Sequence, residues 1–264
     1  MAGSRKDARV AAISCTHVPH QSERAIGVLL ERLAEASDDA PLTHFIHLGD
    51  LMDADAASVH ADDPAEHTLL DEFHAAADLL SRIRAVLPSE CELTWMHGNH
   101  DDNIQRADAR RIDRRIRPLC DWNNVAEVCD EFRRWKQVPY RLGRDGCHQV
   151  GPIIFAHGYA CGQNSDEMEG LRLAMACGGH AHRLIVRGHT HRPLAPTQCK
   201  RSATVSLPWW VANVGHCAFE RRAPYTFRVD ISRWGRALLL AECSTGRADR
   251  LGAGSWDAEL VTLD

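Results

Sequence analysis

The sequence predicts an α/β protein in which helices cover β-sheet, and three observations predict it. Strand-like and helix-like stretches alternate over most of the chain. The strand-like runs are short, apolar and bounded by turn residues. One after another, these runs end in clusters of polar side chains. No internal repeat, low-complexity segment or linker interrupts the pattern. The 264 residues are therefore expected to form a single domain, 1–264, and with 44% of them hydrophobic they can fill its core.

The first element is "ARVAAIS" (8–14), an apolar run of strand length. "SERAIGVLLERLAEAS" (22–37) repeats apolar residues at helical spacing behind a serine suited to cap it. "THFIHL" (43–48) is the next strand, closed by Gly49. "PAEHTLLDEFHAAADLLSRIRAVL" (64–87) reads as a helix with Pro64 near its first turn and Pro88 beyond its end. Strands follow at "ELTWMH" (92–97), "GPIIFAH" (151–157) and "RLIVRG" (183–188), with a helix, "DEMEGLRLAMACG" (166–178), between the last two. From "ATVSLPWWVANV" (203–214) through "YTFRVDI" (225–231) to "RALLLAEC" (236–243) the pattern is strand and turn. Trp209 and Trp210 in that tail are expected to pack in the core, a base-stacking platform being the alternative.

Composition narrows the class. No apolar run is long enough to span a bilayer, and no secretory leader is recognisable, so a soluble cytoplasmic protein is expected. Ten cysteines are scattered without a CxxC pair, which favours reduced thiols over a disulfide framework. The net charge of −5 argues against a dedicated nucleic-acid binder but leaves room for an enzyme acting on one. It also hides an asymmetry. Residues 33 to 81 contain no Lys or Arg, whereas "IQRADARRIDRRIRPLC" (104–120) holds six arginines against two aspartates. Such a run is either a solvated helix with Asp and Arg paired at helical spacing or a surface for phosphate.

The polar clusters at the strand ends carry the chemistry: Cys15 and His17; "GDLMD" (49–53); "GNHDD" (98–102); "HG" at His157; "GHTH" (188–191). Each alone is an ordinary turn. Five in succession, at the edge where α/β proteins build sites, form a joint signal for a metal centre. A second His-x-His pair, His180 and His182, competes with His189 and His191. Only the latter pair follows directly on an apolar run.

This ordered set resembles the calcineurin-like metallophosphoesterase family over about residues 10 to 215, with "ANVG" (212–215) similar to the Asn-Pro-Gly stretch of many relatives. The resemblance implies a four-layer αββα sandwich, two mostly mixed β-sheets flanked by helices, with two divalent metal ions (Mn, Zn or Fe) at strand ends. It implies that Asp50 bridges the metals, that His17 and His191 hold the first, and that Asn99, His157 and His189 hold the second. A carboxylate suits a bridging role because its two oxygens reach two cations and cancel charge. Gly49, Gly98 and Gly188 are expected to serve the sharp turns.

Cys15 departs from the family, which normally places an aspartate there. A thiolate keeps the charge, but its sulfur sits nearer the backbone than a carboxylate oxygen would. Either the strand moves in, the metal shifts, or Cys15 stays out of the coordination sphere. Direct ligation would favour zinc or ferrous iron over magnesium. A buried cysteine acting as a small hydrophobe is the bland alternative.

The implied activity is metal-dependent hydrolysis of phosphate esters, with a hydroxide generated on the metals attacking phosphorus and His100 assisting the leaving group. Asp101 is expected to orient His100, and Asp53 to support the ligands. Arg192, Arg110 and Arg111 are candidates to contact substrate, with a structural salt bridge the alternative for Arg192. A phosphodiesterase acting on nucleic acid or nucleotides is the expected class. A phosphomonoesterase, or a binding protein that keeps the fold with weakened turnover, is the alternative. Oligomeric state is not legible.

Overall fold

A computed structural model describes residues 7–54, 57, 67–106, 124–125, 129–162, 164–177, 183–202, 205–218, 231–245 and 255–264. Of the sequence expectations, Pro64, Arg110, Arg111, His180, His182 and most of the predicted strand 225–231 lie outside the described residues.

In chain order the elements are β1 (Asp7–Ile13), α1 (Glu23–Asp39), β2 (His44–His47), α2 (Leu69–Ala85), β3 (Glu92–Met96), α3 (Asn99–Arg106), β4 (Lys136–Val138), β5 (Cys147–Val150) and β6 (Ile153–Ala156). Then come α4 (Ser165–Ala176), β7 (Arg183–Arg187), β8 (Leu194–Ser202), β9 (Val205–Asn213), β10 (Ala237–Ser244) and β11 (Trp256–Thr262). They build two mixed sheets, ordered β11-β10-β1-β2-β3-β4 and β5-β6-β7-β9-β8.

The layers follow from which side chains meet. Alternate residues of β1 point to opposite faces: Ala11 and Ile13 pack with Ile26, Leu29 and Leu33 of α1 and with Phe73, Leu80 and Ile83 of α2. Val10 and Ala12 face the second sheet, where they join Ile46, Leu48, Ile153, Phe155, Leu184 and Val186. On the far side, Leu173 and Ala174 of α4 cover Ala156 and Ile185. Helix, sheet, sheet and helix are thus stacked in the expected order. Trp209 and Trp210 pack partly buried against these cores, Trp210 edge-on to Trp256.

Helix starts follow their caps. Ser22 accepts from the Ala25 amide at the head of α1, as expected. The second helix departs from expectation: it begins at Leu69, behind Thr68 as its cap. Thr68 and Asp71 form a reciprocal capping box, Thr68 Oγ1 accepting from the Asp71 amide at 3.2 Å and Asp71 Oδ2 from the Thr68 amide at 2.9 Å.

Strand direction positions the site. β1, β2, β3 and β4 run parallel, as do β6, β7 and β9. Their C-terminal ends therefore reach a common edge of the sandwich, where the loops carry Cys15, His17, Asp50, Asn99, His157, His189 and His191.

Candidate metal centre

The loops after β1 and β2 are tied together by their backbones. Cys15 N donates to Gly49 O at 2.9 Å, His17 N to Asp50 O at 3.0 Å and Val18 N to Leu51 O at 2.9 Å. Holding both loops in this register bends the chain into left-handed conformations. Among the described residues, non-glycine positive φ occurs at Cys15 (54°), His17 (48°), Asp50 (50°), Ala54 (53°), His189 (68°) and His191 (60°). All but Ala54 are predicted metal ligands.

Two glycines make room for this packing. Gly49 has φ 104°, and a Cβ there would sit 2.6 Å from Gly98 N and 2.7 Å from His157 Nδ1. A Cβ at Gly98 would run into the carboxylate and amide of Asp50. Asp101 locks the same turn: its carboxylate accepts from Gly98 N at 2.8 Å, Met52 N at 3.1 Å and Leu51 N at 3.3 Å. Asp101, expected to orient His100, thus has its oxygens engaged by three backbone amides. His100 is held by Asp53, whose carbonyl accepts from Nδ1 at 2.7 Å and whose Oδ1 lies 3.3 Å from the same nitrogen.

Side-chain atoms converge. His157 Nδ1 donates to Leu48 O at 2.8 Å, which turns Nε2 toward Asp50 Oδ2, Asn99 Oδ1 and His189 Nδ1, each 3.2 Å away. His17 Nδ1 bonds Asp53 Oδ1 at 2.8 Å, and its Nε2 faces His191 Nε2 at 3.3 Å. A ring nitrogen whose proton sits on the opposite side repels nearby oxygen acceptors unless a cation lies among them. The donor set therefore fits a divalent metal. Among the described residues, three groups place their ligand atoms within 4.8 Å of one another: Cys15, His17 and His191; Cys15, Asp50 and His157; His17, Asp50 and His100. Cys15 belongs to two of them. His191 Nδ1 is buried and has no hydrogen-bond partner among the described residues.

Charge distribution points the same way. Burial opposes ionised Asp50, yet His157, His100 and His17 hold it well below the usual carboxylate range. Burial also works against a charged His100, but Asp50 and Asp53 outweigh it and push the imidazole up to about 10. Burial, with His157 adding, holds His189 down at about 3, and burial with His17 keeps His191 well below the imidazole range. For Cys15, burial and then the Asp50 charge push the thiol well above its ordinary value. A thiolate there requires a cation beside it.

The structure thus gathers His100 and every predicted ligand, and puts Asp101 beneath them as a backbone clamp. Arg192 lies at the rim, its Nη2 donating to Cys161 O at 3.4 Å. Two of the neighbours were not picked out from the sequence. His216 stacks on His191 with ring centroids 5.0 Å apart, and its place after Gly215 at a strand end repeats the signal that marked the other histidines. Arg187, fully buried between Glu169 (2.9 Å) and Asp166 (3.4 Å), gave no such signal. Asn213 of "ANVG" donates to Asp166, Thr190 Oγ1 and Gly188 O, and so supports the loop that carries His189.

The fold and this convergence define a metallophosphoesterase-type protein. A family model of calcineurin-like phosphoesterases matches residues 8–193, and the chain belongs to that family. Among solved structures, it is similar to a nuclease, MPE, of Pseudomonas putida, at 12% identity over 90% of this chain and 85% of that one, with a TM-score of 0.37. No match was found among curated proteins. No helix among the described residues is long and apolar enough to cross a membrane.

Proposed function

We propose that this chain is a metal-dependent phosphodiesterase with a dinuclear centre, acting on nucleotides or nucleic acid. Cys15, His17, Asp50 and His191 would hold one divalent cation, and Asp50, Asn99, His157 and His189 the other. The observation that carries the reading is the left-handed backbone at Cys15, His17, Asp50, His189 and His191. At about 1 kcal/mol or more each, these conformations are a large cost against a net stability of about 5–15 kcal/mol, and such strain concentrates where function demands it.

Cations bound there would neutralise phosphate charge and lower the pKa of water toward neutrality. The chain's own residues do the rest. Asp53 holds His100 through Nδ1, and the Asp50 and Asp53 charges favour the protonated ring, so His100 can pass a proton from Nε2 to a leaving oxygen. The arginines that follow α3 in sequence, Arg110 and Arg111 among them, together with Arg192, supply cationic character suited to a phosphate backbone.

The test is hydrolysis of bis-p-nitrophenyl phosphate and p-nitrophenyl phosphate by metal-stripped protein reloaded with Mn, Zn or Fe. Metal-dependent cleavage of the diester, lost in Asp50→Asn, is expected. Cleavage of the monoester alone would replace the diesterase reading with a phosphomonoesterase, and inertness toward both would remove the hydrolase.

A further inference from the structure

Beside the candidate centre lies an aromatic pair that the metal chemistry does not use. The rings of Tyr140 and Tyr159 stack with centroids 4.1 Å apart and planes 18° from parallel. Tyr140 also meets the His157 ring edge-on at 5.7 Å, and its hydroxyl donates to Gly158 O at 3.2 Å, which pins the stack to the loop carrying His157. The Arg106 guanidinium, ion-paired with Asp102 at the end of α3, lies over the Tyr140 ring at 6.0 Å from its centroid.

Packing alone does not account for this arrangement. Neither tyrosine joins the hydrophobic cores on either side of the sheets. Both rings are half-buried, and the Tyr159 hydroxyl has no hydrogen-bond partner among the described residues. The pair is a flat, half-buried stack beside His157, with the Arg106 cation over the Tyr140 ring. Because Tyr140 meets the ring of His157, a flat group carried on the same molecule as a phosphate held at the centre can reach the stack across a sugar.

We infer that Tyr140, Tyr159 and Arg106 form a stacking subsite for the nucleobase of a nucleotide whose phosphate is held at the centre, so that the substrate is a nucleotide ester. The inference rests on the phosphodiesterase reading for its orientation toward phosphorus and names its substrate class. Base–aromatic stacking tolerates any base because each has a π-face, so the subsite predicts preference for nucleotides over sugar phosphates without strong choice among bases.

The test is calorimetric binding of adenosine 5′-monophosphate and ribose 5-phosphate to the full chain, with and without added Mn. At least about tenfold tighter binding of the nucleotide is expected, falling toward equality in Tyr159→Ala and persisting in Tyr159→Phe. Tyr159→Leu, which keeps apolar bulk but has no π-face, serves should the alanine variant fail to fold, and it too should lose the preference. Equal binding of the two ligands by the wild-type chain overturns the subsite, as does a preference that survives removal of the ring. Because binding needs no turnover, base preference without diester cleavage would leave the subsite standing and fell the hydrolase, and the converse result would do the reverse.

Discussion

Asp53 Oδ1 lies 2.8 Å from His17 Nδ1, and this contact decides which nitrogen of the ring faces the other candidate ligands. The same carboxylate reaches His100 at 3.3 Å. One buried aspartate thus orients a predicted metal ligand and the predicted proton donor together. Asp53→Asn keeps the shape but removes the charge and lets an amide nitrogen face His17. Metal affinity, measured by competition with a chromophoric chelator, should fall about 10–100-fold. Unchanged affinity would show that His17 is held by other means.

The same substitution should have opposite signs at two glycines. Gly98→Ala drives a methyl group into Asp50, whose backbone is already held by neighbouring loops, and should destabilise by about 1–3 kcal/mol while lowering metal affinity. Gly27→Ala, within α1 and with nothing within 4 Å of the new Cβ, should stabilise by about 0.4–1 kcal/mol through helix propensity and a less flexible unfolded chain. Urea titrations of both variants beside the wild type measure the difference. A Gly98→Ala variant as stable as the wild type would contradict the tight approach of the two turns.

Much of this was legible because sequence order maps onto space in a parallel sheet. Apolar runs such as 8–14 and 183–188 became strands, and their C-terminal residues necessarily arrived at one edge, which is why Cys15, Asp50, His157 and His189 could be grouped in advance. What could not be read depends on side-chain direction. Asp101 stands beside His100 in sequence, yet α3 begins at Asn99 and turns its carboxylate back to the amides of Leu51, Met52 and Gly98. The Tyr140–Tyr159 stack joins residues whose spacing carries no periodic signal. The start of α2 is hard to read from sequence because Pro64 is a strong punctuator, whereas the capping box at Thr68 and Asp71 is made of common residues.

His47 gives the fold an acid sensitivity. Its Nδ1 accepts from Gly49 N at 3.2 Å and its Nε2 donates to Thr16 Oγ1 at 3.1 Å, while the Thr16 hydroxyl donates to Leu51 O at 2.9 Å. This chain requires the neutral tautomer. Burial, with His157 adding, lowers the pKa to about 3, against about 6.5 in an unfolded chain. Between those values the unfolded state binds a proton that the folded state refuses. The contribution of His47 is therefore complete above about pH 6.5 and is lost as pH falls toward 3, by up to about 1.4 kcal/mol per pH unit. His47→Gln can satisfy both partners without titrating, so its stability should fall less steeply than wild type between pH 6 and 4 (roughly one proton's worth). Parallel profiles would sink the assignment.

Cys15 tests the centre most directly. Its sulfur belongs to both the group with His17 and His191 and the group with Asp50 and His157, so it sits where either cation could draw on it. Buried beside Asp50, the thiol strongly resists ionisation, and only a cation gives its proton a reason to leave. If it ligates, anaerobically purified Cys15→Ala should lose one metal equivalent by elemental analysis. Cys15→Asp should regain it while shifting preference from zinc toward manganese, because carboxylate oxygen is the harder donor. Oxidation offers a second readout, since a metal-bound thiolate reacts with peroxide whereas a neutral buried thiol does not. Full metal content in Cys15→Ala, with a peroxide-inert thiol in the wild type, would place Cys15 among the small apolar residues lining the strand end, and would leave His17, Asp50 and His191 to hold the first cation without it.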